Sequence, residues 1–162
     1  MGSLAWIGIG SNQCAPLIQC YAALELLDQH HQCVIKNTSR FYRSAPVGIT
    51  GQPWFVNAVV HLQTDLSAYD LWHICVEIEV VMGRVKTISQ GPRIIDLDLL
   101  LYDEQQINSH ELVVPHPRLQ ERRFVLQPLN EIFPAGRHPV SGVPFIELLQ
   151  SPYIQAQCVS VI

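Results

Sequence analysis

The run "GPRIIDLDLLLYD", Gly91 to Asp103, constrains the fold more than any other part of the chain. It is rich in Ile and Leu and follows a Gly-Pro pair, so it reads as a buried strand. A strand alternates its side chains between two faces. Ile95, Leu97, Leu99 and Leu101 then form one face, and Asp96, Asp98, Leu100 and Tyr102 the other. The two acids share a side, with backbones about 7 Å apart at the usual strand rise. Like charges at that range repel unless solvent or a positive group separates them. Either the face is solvated, or a hard cation with oxygen ligands sits there.

Composition limits the alternatives. The 162 residues are 48% hydrophobic and 15% charged, which suits a packed globular chain and excludes a disordered one. One domain over residues 1–162 is expected. The formal net charge of −4 argues against a general nucleic-acid binder but not against a local basic site. Five scattered cysteines have no C-x-x-C pair and no zinc spacing, as expected of reduced thiols in a cytoplasmic protein. The start, "MGSLAWIGIG", has no basic n-region, and no run is apolar enough to span a membrane.

Hydrophobic periodicity places the other elements. Leu4 to Ile9 reads as a strand stopped by Gly10-Ser11-Asn12, and Pro16 suits a first helical position ahead of the stripe Leu17, Cys20, Leu24, Leu27. Cys33 to Ile35 and Phe41 to Arg43 look extended. Phe55 to Thr64 alternates, with Val56, Ala58, Val60 and Leu62 opposite Phe55, Asn57 and Val59. Ser67 with Asp70 resembles a helix cap before the stripe Leu71, Cys75, Ile78, Met82, which Gly83 would end. Glu79 falls off that stripe, as an exposed helix acid would. A third helix is expected over Arg122 to Phe133, interrupted by Pro128, and a short fourth over Val143 to Leu149. Strands separated by helices, with hairpin-like joints, indicate an α+β sandwich.

The ten basic residues are unevenly spread. Arg84, Lys86 and Arg93 flank one loop, and Arg118, Arg122 and Arg123 follow His116. Acids that hold a cation, ringed by guanidinium forks, make a polyphosphate site. "GIGSN" lacks the context of a dinucleotide fingerprint. In a regular strand Arg93 would face away from Asp96, so it joins the site only if Gly91-Pro92 holds it ahead of the strand.

"GPRIIDLDLLLYD" with "PHPRLQERRFVLQPLNEIFP" closely resembles the 6-hydroxymethyl-7,8-dihydropterin pyrophosphokinases of folate biosynthesis, and "GIGSN", "FYRSAPVGITGQPWFVNAVV" and "EIEVVMGR" extend the likeness. The resemblance implies a three-layer α-β-α sandwich of ferredoxin-like type, with a mainly antiparallel sheet. It implies Mg²⁺-dependent transfer of the pyrophosphoryl group of ATP to the pterin, releasing AMP, by a cytoplasmic monomer without nucleic-acid or membrane partners. Asp96 and Asp98 match ligands to two Mg²⁺ ions, and Arg84 and Arg93 match phosphate-binding residues that serve catalysis. Glu79, His116 and Arg122 match nucleotide contacts, and Leu99 matches a position whose backbone meets the adenine. Lys86 stands in the phosphate loop where a second arginine is common. Asn57 matches the pterin-reading amide, Phe55 and Phe124 the rings that sandwich the pterin, and Ser44 and Val47 the segment along its edge. The loop from Arg84 to Pro92 is expected to close over bound substrates. A binding module without turnover, another Mg²⁺-dependent nucleotide transferase and an RNA-binding sheet are the rival readings.

Overall fold

The computed structural model describes residues 2–85 and 89–162. Strand β1 (Ser3–Ser11) leads through helix α1 (Pro16–Gln29) to β2 (Cys33–Thr38), β3 (Tyr42–Ser44) and β4 (Phe55–Thr64). Helix α2 (Ala68–Val81) then returns the chain to β5 (Asp96–Tyr102), the acid-bearing strand. The sheet order is β5-β1-β4-β3, with β2 also on β4 and every pairing antiparallel. That succession of strands and helices is the ferredoxin-like arrangement. A short hairpin, β6 (Ile107–Asn108) and β7 (Val113–Val114), precedes α3 (Arg123–Ile132), α4 (Phe145–Leu149) and α5 (Pro152–Gln155). The last strand, β8 (Val159–Val161), adds to the free side of β3.

The sheet has helices on both faces, which makes three layers. On one side α1 and α2 press Cys20, Leu27, Leu71 and Cys75 onto Ile7, Ile9, Val60 and Leu62. On the other, α3, α4 and α5 bring Leu126, Leu129, Phe145 and Ile154 against Trp6 and Val59. Local chemistry agrees with this plan. Pro16 opens α1. The Asp70 N–H donates to Ser67 Oγ at 3.1 Å, capping α2.

Strand β5 departs from simple alternation. Trp6 pairs with Leu101 and Ile7 with Leu99, so Leu100 is an extra residue in a bulge. Beyond the bulge the strand runs in the opposite phase. Leu101 packs with Leu100 on the α3 side, and Tyr102 packs with Leu99 on the α1–α2 side. The expected faces therefore hold for Asp96 to Leu100 and are exchanged at Leu101 and Tyr102.

Other boundaries move for identifiable reasons. Strand β1 runs on to Ser11 because Gly10 pairs with both Asn57 and Asp96. Helix α3 continues through Pro128 instead of being interrupted, held by the burial of Val125, Leu126 and Leu129. The fourth helix begins at Phe145, after Pro144. Lys86 and part of the loop expected to close over the site lie outside the described residues.

One polar knot fastens α3 to β3 on the side of the sheet that carries the site. The Tyr42 hydroxyl and the Arg40 N–H both donate to the Glu131 carboxylate, the latter at 2.9 Å. Partial burial would raise the Glu131 carboxyl, but these donors and the Arg40 guanidinium hold it below the ordinary range. A depressed folded-state pKa gives stability that is present above the unfolded carboxyl value and is lost as pH falls through the folded value. The stability gap between the wild type and Glu131→Gln should therefore be widest near neutral pH. Denaturant titrations should show it closing towards about pH 2.

Candidate active site

Asp96 and Asp98 share the α3 side of β5, opposite two residues without side chains: Gly10 pairs with Asp96 and Gly8 with Asp98. The acids are treated differently. Arg84 Nη1 lies 2.9 Å from Asp96 Oδ1, and Arg93 Nη1 lies 2.7 Å from Asp96 Oδ2. Among the described residues Asp98 has only Arg122 Nη1 at 3.9 Å and His116 Nε2 at 3.8 Å, both beyond hydrogen-bond reach. Burial, then the charge of Asp96, pushes the Asp98 carboxyl up to about 7, against the pull of Arg122. Asp96, with both carboxylate oxygens paired to guanidinium groups, is not simply a solvated acid. Arg93 reaches Asp96 because regular strand begins only at Asp96, which frees Arg93 from alternation.

Glu79 is not the exposed helix acid its position suggests. It is 6% exposed. Its Oε1 accepts the Leu97 N–H at 2.6 Å and pairs with the Arg84 guanidinium. Burial raises its carboxyl, while the Leu97 N–H and Arg84 oppose the rise. Glu79 thus ties α2 to the outer edge of β5 and holds Arg84 against Asp96.

Two clefts meet at the acids. The first is open to solvent and is lined by Phe55 and Phe124, with Val47 at its rim and Gly8 and Gly10 on its wall. Asn57 Nδ2 donates to Ser44 Oγ at 2.7 Å, which leaves Oδ1 over Gly10 as an acceptor. The Arg122 guanidinium stands 5.5 Å from the centre of the Phe124 ring. The second cleft has an apolar wall of Trp72, Val76 and Val80 on α2, facing Glu79 and Arg84. Arg93, Asp96 and Asp98 line both clefts.

His116 sits beside this junction. Its Nδ1 accepts the Arg118 N–H at 3.2 Å, so the neutral ring carries its proton on Nε2, towards Asp98. Burial and the charges of Arg122 and Arg118 push the imidazole down to about 4. At neutral pH His116 is therefore an uncharged donor.

The acids suit a hard cation. Among the described residues, no group of three or more His, Cys, Asp and Glu is placed to hold a metal. Two carboxylates on one strand face, with glycines opposite, fit a Mg²⁺ ion whose other ligands are water and substrate phosphate.

A family model described as 7,8-dihydro-6-hydroxymethylpterin-pyrophosphokinase (HPPK) matches residues 6–134. The chain belongs to this family. It is 39% identical over 132 residues to the 2-amino-4-hydroxy-6-hydroxymethyldihydropteridine pyrophosphokinase of Bacillus subtilis, covering 82% of this chain and 79% of that protein. The Haemophilus influenzae protein of that name is 41% identical over 128 residues, covering 79% of this chain and 80% of that one. Folic acid synthesis protein fol1 of Schizosaccharomyces pombe is 38% identical over 146 residues, which are 90% of this chain but 20% of that protein. The HPPK fold is also seen in a crystal structure of Plasmodium falciparum HPPK-DHPS, with a TM-score of 0.75 at 15% identity, covering 96% of this chain and 45% of that one.

Within this HPPK-family chain the residues singled out from sequence fall into two sets around the acids. Ser44, Val47, Phe55, Asn57 and Phe124 line the first cleft, and Glu79 and Arg84 the second. Arg122 reaches the first cleft. The Leu99 side chain is in the core, so only its backbone is available to a ligand. Periodicity and motif matching miss the two glycines opposite the acids and the apolar wall of α2. Glycines at alternate positions of one strand face are the available signal for the first.

A Cβ on Gly10 would come within 3.0 Å of Asn57 Oδ1. Gly10→Ala should push the Asn57 amide away from Ser44 at a cost of roughly 1–3 kcal/mol in stability. Thermal melts would read the loss, and the side-chain amide resonances of Asn57 would report the displacement.

Proposed function

We infer that this chain transfers the pyrophosphoryl group of ATP to 6-hydroxymethyl-7,8-dihydropterin, giving AMP and the pterin diphosphate, in folate biosynthesis. The reading rests on family membership together with one observation: two clefts of different character share Arg93, Asp96 and Asp98. The first cleft suits the pterin. Phe55 and Phe124 supply faces for stacking, and Asn57 Oδ1 accepts from the amino edge of the ring. The second suits the nucleotide, with an apolar wall for a base and Arg84 for phosphate.

The chain's part in the reaction is positioning and charge control. Arg84 and Arg93 each use Nη1 on Asp96, so most of each guanidinium remains for phosphate oxygens. His116 and Arg122 present further donors next to Asp98. Asp96 and Asp98 would hold two Mg²⁺ ions. Bound Mg²⁺ offsets phosphate charge and lowers the pKa of a coordinated hydroxyl. The proposal includes a cytoplasmic monomer working as one domain over residues 1–162; the free cysteines support the cytoplasmic part alone.

Incubation with ATP, Mg²⁺ and the hydroxymethyl pterin should release AMP in step with pterin diphosphate on chromatography. Pterin-dependent ADP would rule this reading out. Asp98→Asn should fold at least as well as the wild type, because it removes one of two neighbouring like charges, yet lose orders of magnitude in turnover at saturating Mg²⁺. Phe55→Ala and Phe124→Ala should each weaken pterin binding by roughly 1–3 kcal/mol, read by calorimetry, and leave binding of nucleotide alone nearly unchanged.

A further inference from the structure

Arg122 and Arg123 are neighbours in the sequence and part company in the structure. Arg122 reaches the first cleft, with its guanidinium 5.5 Å from the centre of the Phe124 ring. Arg123 engages the last part of the chain instead. Its Nη1 donates to the Gln155 and Gln157 carbonyls, each at 3.1 Å, and its Nε to Gln127 Oε1 at 3.0 Å. The Gln157 side chain completes the clamp. Its Oε1 accepts the Arg123 N–H at 2.9 Å, and its Nε2 donates to the Glu121 carbonyl at 2.7 Å.

Those two bonds fall on either side of Arg122. They join the single turn Leu119–Glu121 to the first residue of α3, across a point where the backbone is extended, with φ −121° and ψ 110°. Among the described residues Arg122 makes no side-chain capping bond, so Gln157 holds the start of α3 from 34 residues away. Phe124 is the second residue of that helix, in the turn that frays first when its N–H groups are not held.

The chain runs straight on from Gln157 to another wall of the same cleft. The Ala45 N–H donates to the Cys158 carbonyl at 3.1 Å, and Ser44 pairs with Val159. Ser44 and Ala45 line the first cleft together with Phe124. The strap from Gln155 to Val159 therefore grips β3 and the start of α3 at once, and Ile154, 2% exposed, roots it in the core. All of it lies beyond residues 6–134, the stretch that carries the family match.

We propose that Gln157, with Arg123, is a positioning residue for the first cleft: it ties the start of α3 to the strap that also grips β3, and so sets where the Phe124 ring stands against a bound pterin. This rests on the pyrophosphokinase reading of the site. Stacking falls off steeply with a gap of half an ångström to one ångström or so, so a released helix start weakens the stack without removing the ring.

The test is calorimetric titration of 6-hydroxymethylpterin with a non-hydrolysable ATP analogue and Mg²⁺ present throughout, beside thermal melts of the same proteins. Gln157→Ala and Arg123→Ala should each lower pterin affinity about tenfold, the scale of one misplaced aromatic pair. The double variant should lose little more than either alone, because both release the same end of α3. The deciding measurement is made in Phe124→Ala. With the ring gone there is little left to misplace, so adding Gln157→Ala should cost less than about threefold. A merely structural clamp would lower the melting temperature and leave pterin affinity unchanged, or would lower affinity equally with and without the ring. Either result overturns the inference. Arg123→Ala keeps both bonds of the Gln157 amide, so the same comparison made with it decides the matter if Gln157→Ala does not fold. Failure of the wild type to bind the pterin overturns instead the functional reading on which the inference rests.

Discussion

Two carboxylates on one face of one strand repel by about 2 kcal/mol at 7 Å with an effective dielectric near 20. The neighbourhood of Asp96 and Asp98 is organised around that repulsion. Arg84 and Arg93 neutralise Asp96 at close range, and Glu79 holds Arg84 in place from the neighbouring helix. Asp98 is left with distant partners and a raised pKa. The result is a site that is stable only because its arginines lean on its acids. In the proposed reaction the same residues supply both signs of charge to a polyphosphate with its cations. Folding and substrate recognition draw on one set of ion pairs.

Much of this is legible in the residues. The period-2 pattern of Phe55 to Thr64 predicts which residues face the first cleft, and the structure places Phe55, Asn57 and Val59 there. The condition on Arg93 is also readable, since Gly91-Pro92 marks where regular strand geometry has not yet begun. The illegible features have a common cause. Helical and strand periodicities report which face of an element meets the core. They are silent on what meets its flank. Glu79 lies at the flank of α2 and bonds a strand edge, so the stripe that locates Leu71, Cys75 and Ile78 misplaces it.

The bulge at Leu100 is invisible in the sequence for a different reason. Leu99, Leu100 and Leu101 are chemically alike, so composition does not say which of them is the extra residue. Pairing with β1 decides it. The bulge confines the acid-bearing phase to the first half of β5 and turns Tyr102 back into the α1–α2 core, where its hydroxyl donates to the Leu66 carbonyl at 2.5 Å. The recognition half of the strand and its structural half thus obey different registers.

The position of β5 in the sheet has one more consequence. It is an outermost strand, and its sequence, DLDLLLY, is a short, apolar, proline-free segment of the sort that templates intermolecular strand addition. Its open side is not left bare: the Glu79 carboxylate occupies the Leu97 N–H, and the His116 N–H occupies the Leu100 carbonyl. Glu79, which lines the second cleft, and His116, beside Asp98, therefore also guard the sheet against pairing with its own copies. Loss of Glu79 would cost more than its pairing with Arg84. It would open a growth edge for aggregation, so one side chain holds a site arginine and closes the sheet.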